Sequence, residues 1–320
     1  MNKQEAKKLE EKVLANVAKS AKYILALSGG ADSVFLLHIL QNHKLIAAHL
    51  NHKIRQESDK DQEFVEKLCQ KLEVPLETHS VDIKKIKNKR GLEENGRIER
   101  YKFFNKLAKK HQAKYILTAH HADDNLETIL MNFTRGGGLS ALSGMEIQSE
   151  NLLRPLLHIS KNEILAYLKF HKIKFREDKT NKDTKFTRNF LRHEVIPRLK
   201  KINPNIESTI AKNSNNIKEI EDFINKKSLS WIKANASKNH SSLPLKKFQK
   251  LHPALQKNIL RNLHKIISTS NKNLESTHID EAITLAKRNI GNKKKKMGKI
   301  NLYINSGRLY LEKIGKKVQY

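Results

Sequence analysis

The amino-acid sequence predicts an α/β fold. A parallel five-stranded sheet with helices on both faces is expected first, followed by a smaller, mostly helical domain that ends in a β-hairpin. Within residues 1–200, short apolar runs alternate with segments whose apolar residues recur at helical spacing. Such alternation favours a parallel sheet, because parallel strands are joined by crossover helices that cover both faces. Beyond Pro197 long helical patterns replace the apolar runs, which indicates a second domain.

Periodicity places four strands and four helices in the first part of the chain. The predicted strands are residues 23–27, 44–50, 75–81 and 114–119. The predicted helices are residues 32–41, 59–72, 92–111 and 123–135. Cys69, the single cysteine of the chain, lies at a core position of the second helix. One cysteine excludes an intramolecular disulfide bond and any metal site built from several cysteines.

The second part of the chain is expected to begin with a long helical connector. Helical spacing extends over residues 204–238, a polar linker follows at 238–242, and residues 243–290 look helical. Residues 299–314 are typical of a hairpin with its turn at Asn305, Ser306 and Gly307. The basic run at residues 291–299, taken alone, is more typical of a solvated loop than of a binding site. The predicted domains are therefore residues 1–203, 204–242 and 243–320.

The charge of the chain favours a polyanionic partner. Lysine and arginine number 63 against 33 acidic residues, which gives a formal net charge of +30. AT-rich coding would enrich lysine, but it does not explain the small number of acidic residues, so we expect a nucleic-acid partner. No stretch has the apolarity of a membrane span, and the start MNKQEAKKLEEKV lacks the apolar core of a secretory signal. We therefore expect a cytoplasmic location and no membrane partner.

A run of small residues, SGGADS (28–33), separates the first predicted strand from the first predicted helix. A glycine-rich turn at a helix N-terminus presents backbone N–H groups to a phosphate, and the serines add hydroxyl donors. The loop has no GK[ST] ending, so none of its residues is a lysine that could contact the terminal phosphates. A carboxylate beside phosphates needs an intervening cation, so Asp32 predicts Mg²⁺. The candidate ATP-binding residues here are Ser28, Gly29, Gly30, Ala31, Asp32 and Ser33.

This loop resembles the pyrophosphate-binding loop of the ATP-pyrophosphatase superfamily, whose members split ATP into AMP and pyrophosphate and adenylate a substrate. Further motifs resemble those of the tRNA(Ile)-lysidine synthetase family within it. Three substitutions depart from the family pattern, namely Lys53, Gly96 and Ala141. The resemblance spans about residues 22–200 in family order and is weaker beyond. The motifs are HLNHKIR (49–55), LEENGRIERY (92–101), TAHHADDNLET (118–128), RGGGLSALSGM (135–145), RPLL (154–157), EDKTN (177–181) and RNFLRHEVIP (188–197).

The resemblance implies a two-step ligation. The C2 oxygen of the wobble cytidine of a tRNA(Ile) with a CAU anticodon attacks the α-phosphate of ATP, which releases pyrophosphate. The side-chain amine of free L-lysine then attacks C2 and expels AMP, leaving lysidine. The implied cofactors are ATP and Mg²⁺, and the implied partners are L-lysine and tRNA(Ile). His49 and Asn51 are implied as further ATP-binding residues.

Four carboxylates are expected to meet at the site. The superfamily's strand order puts the first and fourth strands side by side where the order reverses, and ligands bind at such points. Asp32 should then face Asp123, Asp124 and Glu127. These carboxylates could hold Mg²⁺ or the amino group of lysine, and the sequence does not rank them. The candidate catalytic residues are Asp32, Asp123, Asp124 and Arg100, and the candidate lysine pocket is Asp123, Asp124 and Glu127.

The basic residues of the motifs form two pairs. Arg97 and Arg100 are three residues apart on one predicted helix, and Arg188 and Arg192 are four apart, so each pair shares a helix face. Such pairs suit RNA phosphates or the adenylate. The adjacent His120 and His121 diverge and have no cysteine nearby to complete a zinc site, so they are interpreted as packing, hydrogen-bonding or substrate-edge residues. The candidate tRNA-binding residues are Arg97, Arg188, Arg192, Lys293, Lys294, Lys295 and Lys296.

Three alternatives stay open. A tRNA thiolase would use the same adenylation, but its persulfide or iron–sulfur versions need several cysteines. An ammonia-dependent ligase would leave the charge of +30 unexplained. A nucleic-acid-binding protein with a dead nucleotide fold would not need the intact SGGADS loop and the Asp123–Asp124 pair. The sequence does not determine the oligomeric state, and a homodimer is compatible with it.

Overall fold

The computed structural model describes residues 1–53, 58–86, 91–136, 138–177, 186–238, 240–268, 274–288 and 294–314. The chain divides into two compact units, Met1–Gly137 with Ala141–Ser214 and Gly138–Ser140 with Asn215–Tyr320. The expected domain limits near residues 203 and 242 stay predictions. None of the helices in the described ranges is long and apolar enough to cross a membrane.

The first two hundred residues contain short strands separated by helices. The strands are β1 (Tyr23–Ala26), β2 (Leu45–Asn51), β3 (Leu76–Ser80), β4 (Tyr115–Leu117), β5 (Gln148–Ser149) and β6 (Leu152–Leu153). The helices are α1 (Lys3–Leu14), α2 (Ala31–Leu40), α3 (Ser58–Lys71), α4 (Leu92–Lys110), α5 (Ala122–Thr134), α6 (Leu139–Leu142), α7 (Lys161–Phe170), α8 (Thr187–Phe190) and α9 (Ile196–Ile202). The four predicted strands and four predicted helices are confirmed.

The strands form one sheet in the order β3-β2-β1-β4-β6-β5. The first five of these are parallel to their neighbours, and β5 pairs antiparallel with β6. The predicted five parallel strands are confirmed. The fifth, β6, had not been placed because two residues are too few to show a period. The chain runs outward from β1 on both sides, so the carboxyl ends of β1 and β4 lie side by side at the reversal.

Apolar side chains fill both faces of this sheet. Leu25 and Ala47 pack into a cluster with residues of α1, α2, α3 and α7. Ile24, Ile46 and Ile116 point to the other face and pack against α4. Neighbouring residues of a strand point to opposite faces, so a strand covered on both sides is apolar throughout. The prediction of helices on both faces is confirmed.

Cys69 belongs to the apolar core on one face of the sheet. Its thiol is 1% exposed within the core of α3, and burial raises its pKa to about 11. We expect Cys69→Ser to retain full turnover but to lose about 1–3 kcal/mol of stability, because a hydroxyl is buried where a thiol was. Urea unfolding and pyrophosphate release from ATP measure the two effects. Complete loss of turnover in a folded variant would instead indicate thiol chemistry.

The second unit combines helices with a small antiparallel sheet. Its helices are α10 (Ile206–Asn235), which begins in the first unit, α11 (Leu245–Gln249), α12 (Pro253–Ser268) and α13 (Ser276–Arg288). Its strands are β7 (Ser242–Pro244), β8 (Lys295–Met297), β9 (Ile300–Asn305) and β10 (Arg308–Lys313), in the order β7-β10-β9-β8. The predicted hairpin is confirmed as β9 and β10. Its turn residues Ser306 and Gly307 have positive φ angles of 44° and 70°, as tight hairpin turns require.

Two local predictions in this unit are wrong. Lys295–Met297, within the run expected to be a solvated loop, pair with β9 as a strand, and Met297 is fully buried. The turn at Gly298, where φ is 60°, brings this strand back along β9. Ser242–Pro244, at the start of the stretch expected to be helical, pair with β10. Both strands are only three residues long and are fixed by pairing with distant partners, which a local period does not report.

Candidate active site

The loop after β1 is held in shape by its own serines. Ser33 Oγ donates to the Gly30 carbonyl at 3.0 Å and accepts from the Ser28 amide at 3.2 Å. Gly29 has a φ of +85°, and an added Cβ would lie 3.2 Å from a methyl of Val65, so glycine is needed here for both conformation and space. Helix α2 begins at Ala31 without a side-chain cap. The predicted arrangement of a strand, a glycine turn and a helix N-terminus is therefore present.

His49 and Asn51 lie on β2, beside the loop. His49 Nδ1 is 2.9 Å from the Leu27 carbonyl, and its buried Nε2 has no hydrogen-bond partner among the described residues. Asn51 donates to Asp59 at 2.8 Å and accepts from the Lys53 amide at 2.9 Å. Lys53 has a φ of 49°, which explains why glycine is usual at this motif position. The roles of His49 and Asn51 in ATP binding stay predictions.

His121 connects the loops that follow β1 and β4. Its Nε2 lies 3.8 Å from Asp32 and 3.4 Å from Asp124, and its Nδ1 lies 3.5 Å from Asp123. Of the three carboxylates that Asp32 was expected to face, Asp123 and Asp124 lie with it around His121, which had been interpreted as a packing, hydrogen-bonding or substrate-edge residue, and Glu127 binds Arg188 and Arg192 instead. Burial alone would lower the pKa of His121, and the three carboxylates together raise it above its usual value.

Two lysines that no sequence motif singled out neutralise these carboxylates. Lys161, the first residue of α7, donates its backbone N–H to Asp123 at 2.8 Å and its ammonium to Asp32 at 2.5 Å. Lys200 of α9 binds the other oxygen of Asp123 at 2.9 Å and also binds Glu207. Burial would raise the pKa of Asp123, but hydrogen bonds from His121, Lys161 and Lys200 hold it far below its usual range. The only local signal was the capping box of Ser160 and Glu163, which marks Lys161 as the start of a helix.

Glu127 is the buried anchor of the second arginine pair. Its carboxylate is fully buried and accepts from Arg188 Nε at 2.9 Å and from Arg192 Nε and Nη2 at 2.5 and 2.9 Å. Arg192 Nη2 also donates to Asp124 at 3.1 Å. Burial would lower the pKa of Arg192, and Glu127 and Asp124 raise it above its usual value. Both arginines point toward Glu127, as predicted for residues that share a helix face. Arg188 and Arg192 thus form a fixed cationic surface beside the aspartates, which we call the arginine wall.

A π-helical turn, Leu191–Val195, joins α8 to α9 at this wall. Pro197 has no amide hydrogen and its ring crowds the carbonyl four residues earlier, so the regular ladder cannot continue through it. The amide of Ile196 bonds instead to the Leu191 carbonyl, five residues back. Such turns often occur at functional sites, and this one contains Arg192.

The first arginine pair lies on α4. Arg100 Nη2 is 3.2 Å from His52 Nε2, and the Arg97 guanidinium lies over the Tyr101 ring at 5.1 Å. The pKa of His52 is lowered to about 4, first by burial and then by repulsion from Arg100 and His49. The catalytic role predicted for Arg100 and the tRNA-binding role predicted for Arg97 stay predictions.

The predicted lysine run belongs to the second unit. Lys294 lies over the Tyr303 ring at 5.2 Å, Lys295 pairs with Glu281 at 3.1 Å, and Lys296 is exposed. Lys293 lies outside the described residues, as do Ile54 and Arg55 of the motif HLNHKIR and residues 178–181 of the motif EDKTN. Contact of this run with tRNA stays a prediction.

The donors around Asp32 fit a magnesium ion carried mainly by a nucleotide. Among the residues that the structure describes, no group of three His, Cys, Asp or Glu side chains is arranged to hold a metal ion. Mg²⁺ commonly takes one or two protein carboxylates and fills its octahedron with phosphate oxygens and water. Asp32 is 29% exposed and offers Oδ2, since Oδ1 is bound by Lys161. The magnesium ligand predicted at Asp32 is compatible with this geometry and stays a prediction.

A parallel sheet with a phosphate-cradle loop after β1 and carboxylates after β4 is the arrangement of a nucleotide-dependent enzyme. Residues 1–199 match the ATP-binding PP-loop domain, and the chain belongs to this family. Curated relatives are named tRNA(Ile)-lysidine synthase. The protein from Porphyromonas gingivalis strain W83 is 41% identical over 211 residues, covering 63% of this chain and 46% of the relative. The protein from Clostridioides difficile strain 630 is 34% identical over 283 residues, covering 84% and 61%.

The chain therefore spans about half to three fifths of the length of these relatives. Among solved structures, a U34-tRNA thiolase from Methanococcus maripaludis with its [4Fe-4S] cluster matches 68% of this chain and 81% of that chain. The TM-score is 0.59 at 17% sequence identity, which shows a common fold.

Proposed function

We propose that this chain ligates L-lysine to C2 of the wobble cytidine of a tRNA(Ile) with a CAU anticodon, through an adenylated cytidine, giving lysidine, AMP and pyrophosphate. The observation that carries the proposal is the meeting of Asp32, Asp123 and Asp124 around His121, directly beside the Ser28–Ser33 loop. Curated relatives that are 41% and 34% identical to this chain are named tRNA(Ile)-lysidine synthase. The formal charge of +30 suits an RNA substrate.

In the first step the cytidine O2 attacks the α-phosphorus of ATP, an oxygen–phosphorus bond forms, and pyrophosphate leaves. The loop amides and the Ser28 and Ser33 hydroxyls would bind the departing phosphates. Lys161 would supply the cation that the loop itself lacks. When bound at Asp32, Mg²⁺ offsets charge on the phosphates. The arginine wall of Arg188 and Arg192 would hold RNA or the adenylate in line.

In the second step the lysine amine attacks C2 and AMP departs. The free side-chain ammonium has a pKa of about 10.4, so it must lose a proton before it can attack. Asp123, Asp124 and Glu127 are the proposed ligands and proton acceptors for this amine. An incoming ammonium would compete with Lys200 at Asp123, whereas Glu127 is already bound by two arginines.

Incorporation of labelled lysine into purified tRNA pools tests the proposal. We expect label in RNA only when ATP is present, with one pyrophosphate released per lysine, and labelled arginine is the control. ATP consumption without lysine, or absence of label, would contradict the proposed reaction. The buried thiol of Cys69, with its raised pKa, is poorly suited to the sulfur chemistry of the thiolase alternative.

Lys161→Met tests whether the Lys161 ammonium supplies the positive charge that the SGGADS loop, which contains no lysine, does not provide. The backbone N–H of residue 161 still reaches Asp123, so the change removes only the ammonium at Asp32. We expect the Kd for ATP to rise about tenfold or more, as loss of a hydrogen bond to a charged group predicts, with Lys161→Arg restoring part of the affinity. Calorimetry measures the Kd, and an unchanged value would show that Lys161 only pairs with Asp32.

Lys294→Ala combined with Lys296→Ala tests the second unit as an RNA-binding element. We expect weaker tRNA binding, and a slope of log K against log salt that falls by about 0.7–0.9 for each phosphate that the protein no longer neutralises. Filter binding across a salt series measures both quantities. Lys226→Ala with Lys257→Ala is the matched control, since these lysines belong to the same unit. An equal loss of tRNA affinity in both double variants would show that the effect comes from total charge and not from Lys294 and Lys296 in particular.

A further inference from the structure

Arg154 is a buried arginine with an unused hydrogen-bonding edge. It follows β6 directly and is 9% exposed. Its backbone N–H donates to the Ile147 carbonyl at 2.7 Å, and its Nη1 donates to the Glu146 carbonyl at 2.9 Å. No acceptor among the described residues bonds to its Nε, which is buried, or to its Nη2. The Nε–Nη2 edge of a guanidinium is the side that binds carboxylates and phosphates with two parallel bonds.

The charge of Arg154 also lacks a counterion. Among the side chains that the structure describes, no carboxylate lies within 4 Å of the guanidinium of Arg154 or of Arg97. Arg188 and Arg192 differ, because Glu127 neutralises them. Arginine is almost never buried unless it is paired, since an uncompensated buried charge is costly. A buried and unpaired arginine at the edge of a substrate site therefore indicates that the counterion arrives with a ligand.

Other cations converge on the same place. The exposed Arg97 lies over the Tyr101 ring at 5.1 Å, and both Arg97 and Tyr101 act electrostatically on Arg154. Burial lowers the pKa of Arg154, and repulsion from Arg97 lowers it further, against the opposing effects of Tyr101 and Glu146. The pKa of His120 falls to about 4, through burial and through repulsion from nearby arginines that include Arg154 and Arg97.

We infer that Arg154 and Arg97 form a phosphate-binding site at the carboxyl end of β6, separate from the Ser28–Ser33 loop, and that this site holds a backbone phosphate of the RNA substrate. Strand β4 lies between β1 and β6, so the two sites are about 10 Å apart along the sheet edge. The proposed ATP residues His49 and Asn51 lie on β2, on the other side of the loop. If ATP binds along the loop toward β2, the carboxyl end of β6 is free to bind the RNA substrate.

The existence of a phosphate site at Arg154 and Arg97 does not depend on the proposed function. The assignment of the bound phosphate to RNA does rest on it. Thermal unfolding of the full chain in a titration of inorganic phosphate tests the site, with saturating ATP present so that the loop is occupied. We expect phosphate to raise the Tm of the wild type and of the exposed control Arg198→Ala. Arg154→Met and Arg97→Ala should lose this rise. An equal rise in all four proteins overturns the site.

Measurements of tRNA and ATP binding distinguish a phosphate of tRNA from a phosphate of ATP at this site. We expect Arg97→Ala and Arg154→Met each to weaken tRNA binding about tenfold, to lower the salt slope by about 0.7–0.9, and to leave the Kd for ATP unchanged. Loss of ATP affinity with tRNA affinity intact would assign the phosphate to the nucleotide and overturn the RNA contact. Should Arg154→Met fail to fold, the exposed Arg97→Ala carries the test. If lysine is not incorporated while phosphate protection behaves as expected, the proposed function fails and the site stands.

Discussion

Asp32→Ala is expected to slow pyrophosphate release by far more than tenfold while leaving the fold and most of the tRNA affinity intact. The Asp32 carboxylate is 29% exposed, and its ion pair with Lys161 is partly solvated, so its removal costs little stability. It is also the only proposed protein ligand of the Mg²⁺ that would offset charge on the departing pyrophosphate. The large loss should therefore appear in the chemical step.

Glu77→Ala is a matched control for this change. Its carboxylate is also 29% exposed and pairs with Lys110 at 2.6 Å, but it lies on β3. Calorimetry of ATP binding with and without Mg²⁺ adds a readout besides activity, because Asp32→Ala should abolish the dependence of ATP affinity on the metal. Pyrophosphate release within about tenfold of the wild type, or about 1.4 kcal/mol, would show that the role assigned to Asp32 is wrong.

Glu127→Gln is expected to destabilise the protein by about 3 kcal/mol and to suppress activity with it. The change keeps the shape of the side chain but leaves Arg188 and Arg192 without their buried counterion. Breaking a buried ion pair costs about 3–5 kcal/mol. We place the effect at the lower end because both arginine side chains keep about a third of their surface, at 35% and 34%, and can turn toward water.

Urea unfolding measures this loss as a shift of the midpoint at constant m. Glu194→Gln provides the control, because Glu194 pairs with Arg198 at 3.6 Å but is 47% exposed, so little stability should be lost. A folded and fully stable Glu127→Gln variant whose KM for lysine rises would contradict the anchoring role. It would leave Glu127 only its proposed role as a ligand of the lysine amine.

The prediction of the fold succeeded where the signal lies within one segment. An apolar run of five residues, as at 23–27, or a helical period over fourteen, as at 59–72, identifies an element without knowledge of its neighbours. The prediction failed for β5, β7 and β8, which have two or three residues each. Elements this short carry no period, and pairing partners elsewhere in the chain decide their conformation.

The sequence indicated the acidic residues, the loop and the arginine pairs of the candidate site, but not the lysines that bind its carboxylates or the central position of His121. Asp32, Asp123, Asp124 and Glu127 stand in dense motifs, which is why the sequence indicated them. His121 had been assigned no central role, although it touches three of the carboxylates. Lysines are so numerous in this chain that no local pattern separates Lys161 and Lys200 from the solvated ones.

The sequence by itself determined the order of strands and helices, the SGGADS turn and the terminal hairpin, because each depends on residues within a few positions of one another. Only the tertiary structure decided which charges meet. Lys161 lies 129 positions from Asp32, yet its ammonium is 2.5 Å from that carboxylate. The same holds for Arg154, whose lack of a counterion is a property of its surroundings. Parallel strands bring the loops at their carboxyl ends together in the order of the sheet, and that order differs from the order of the chain.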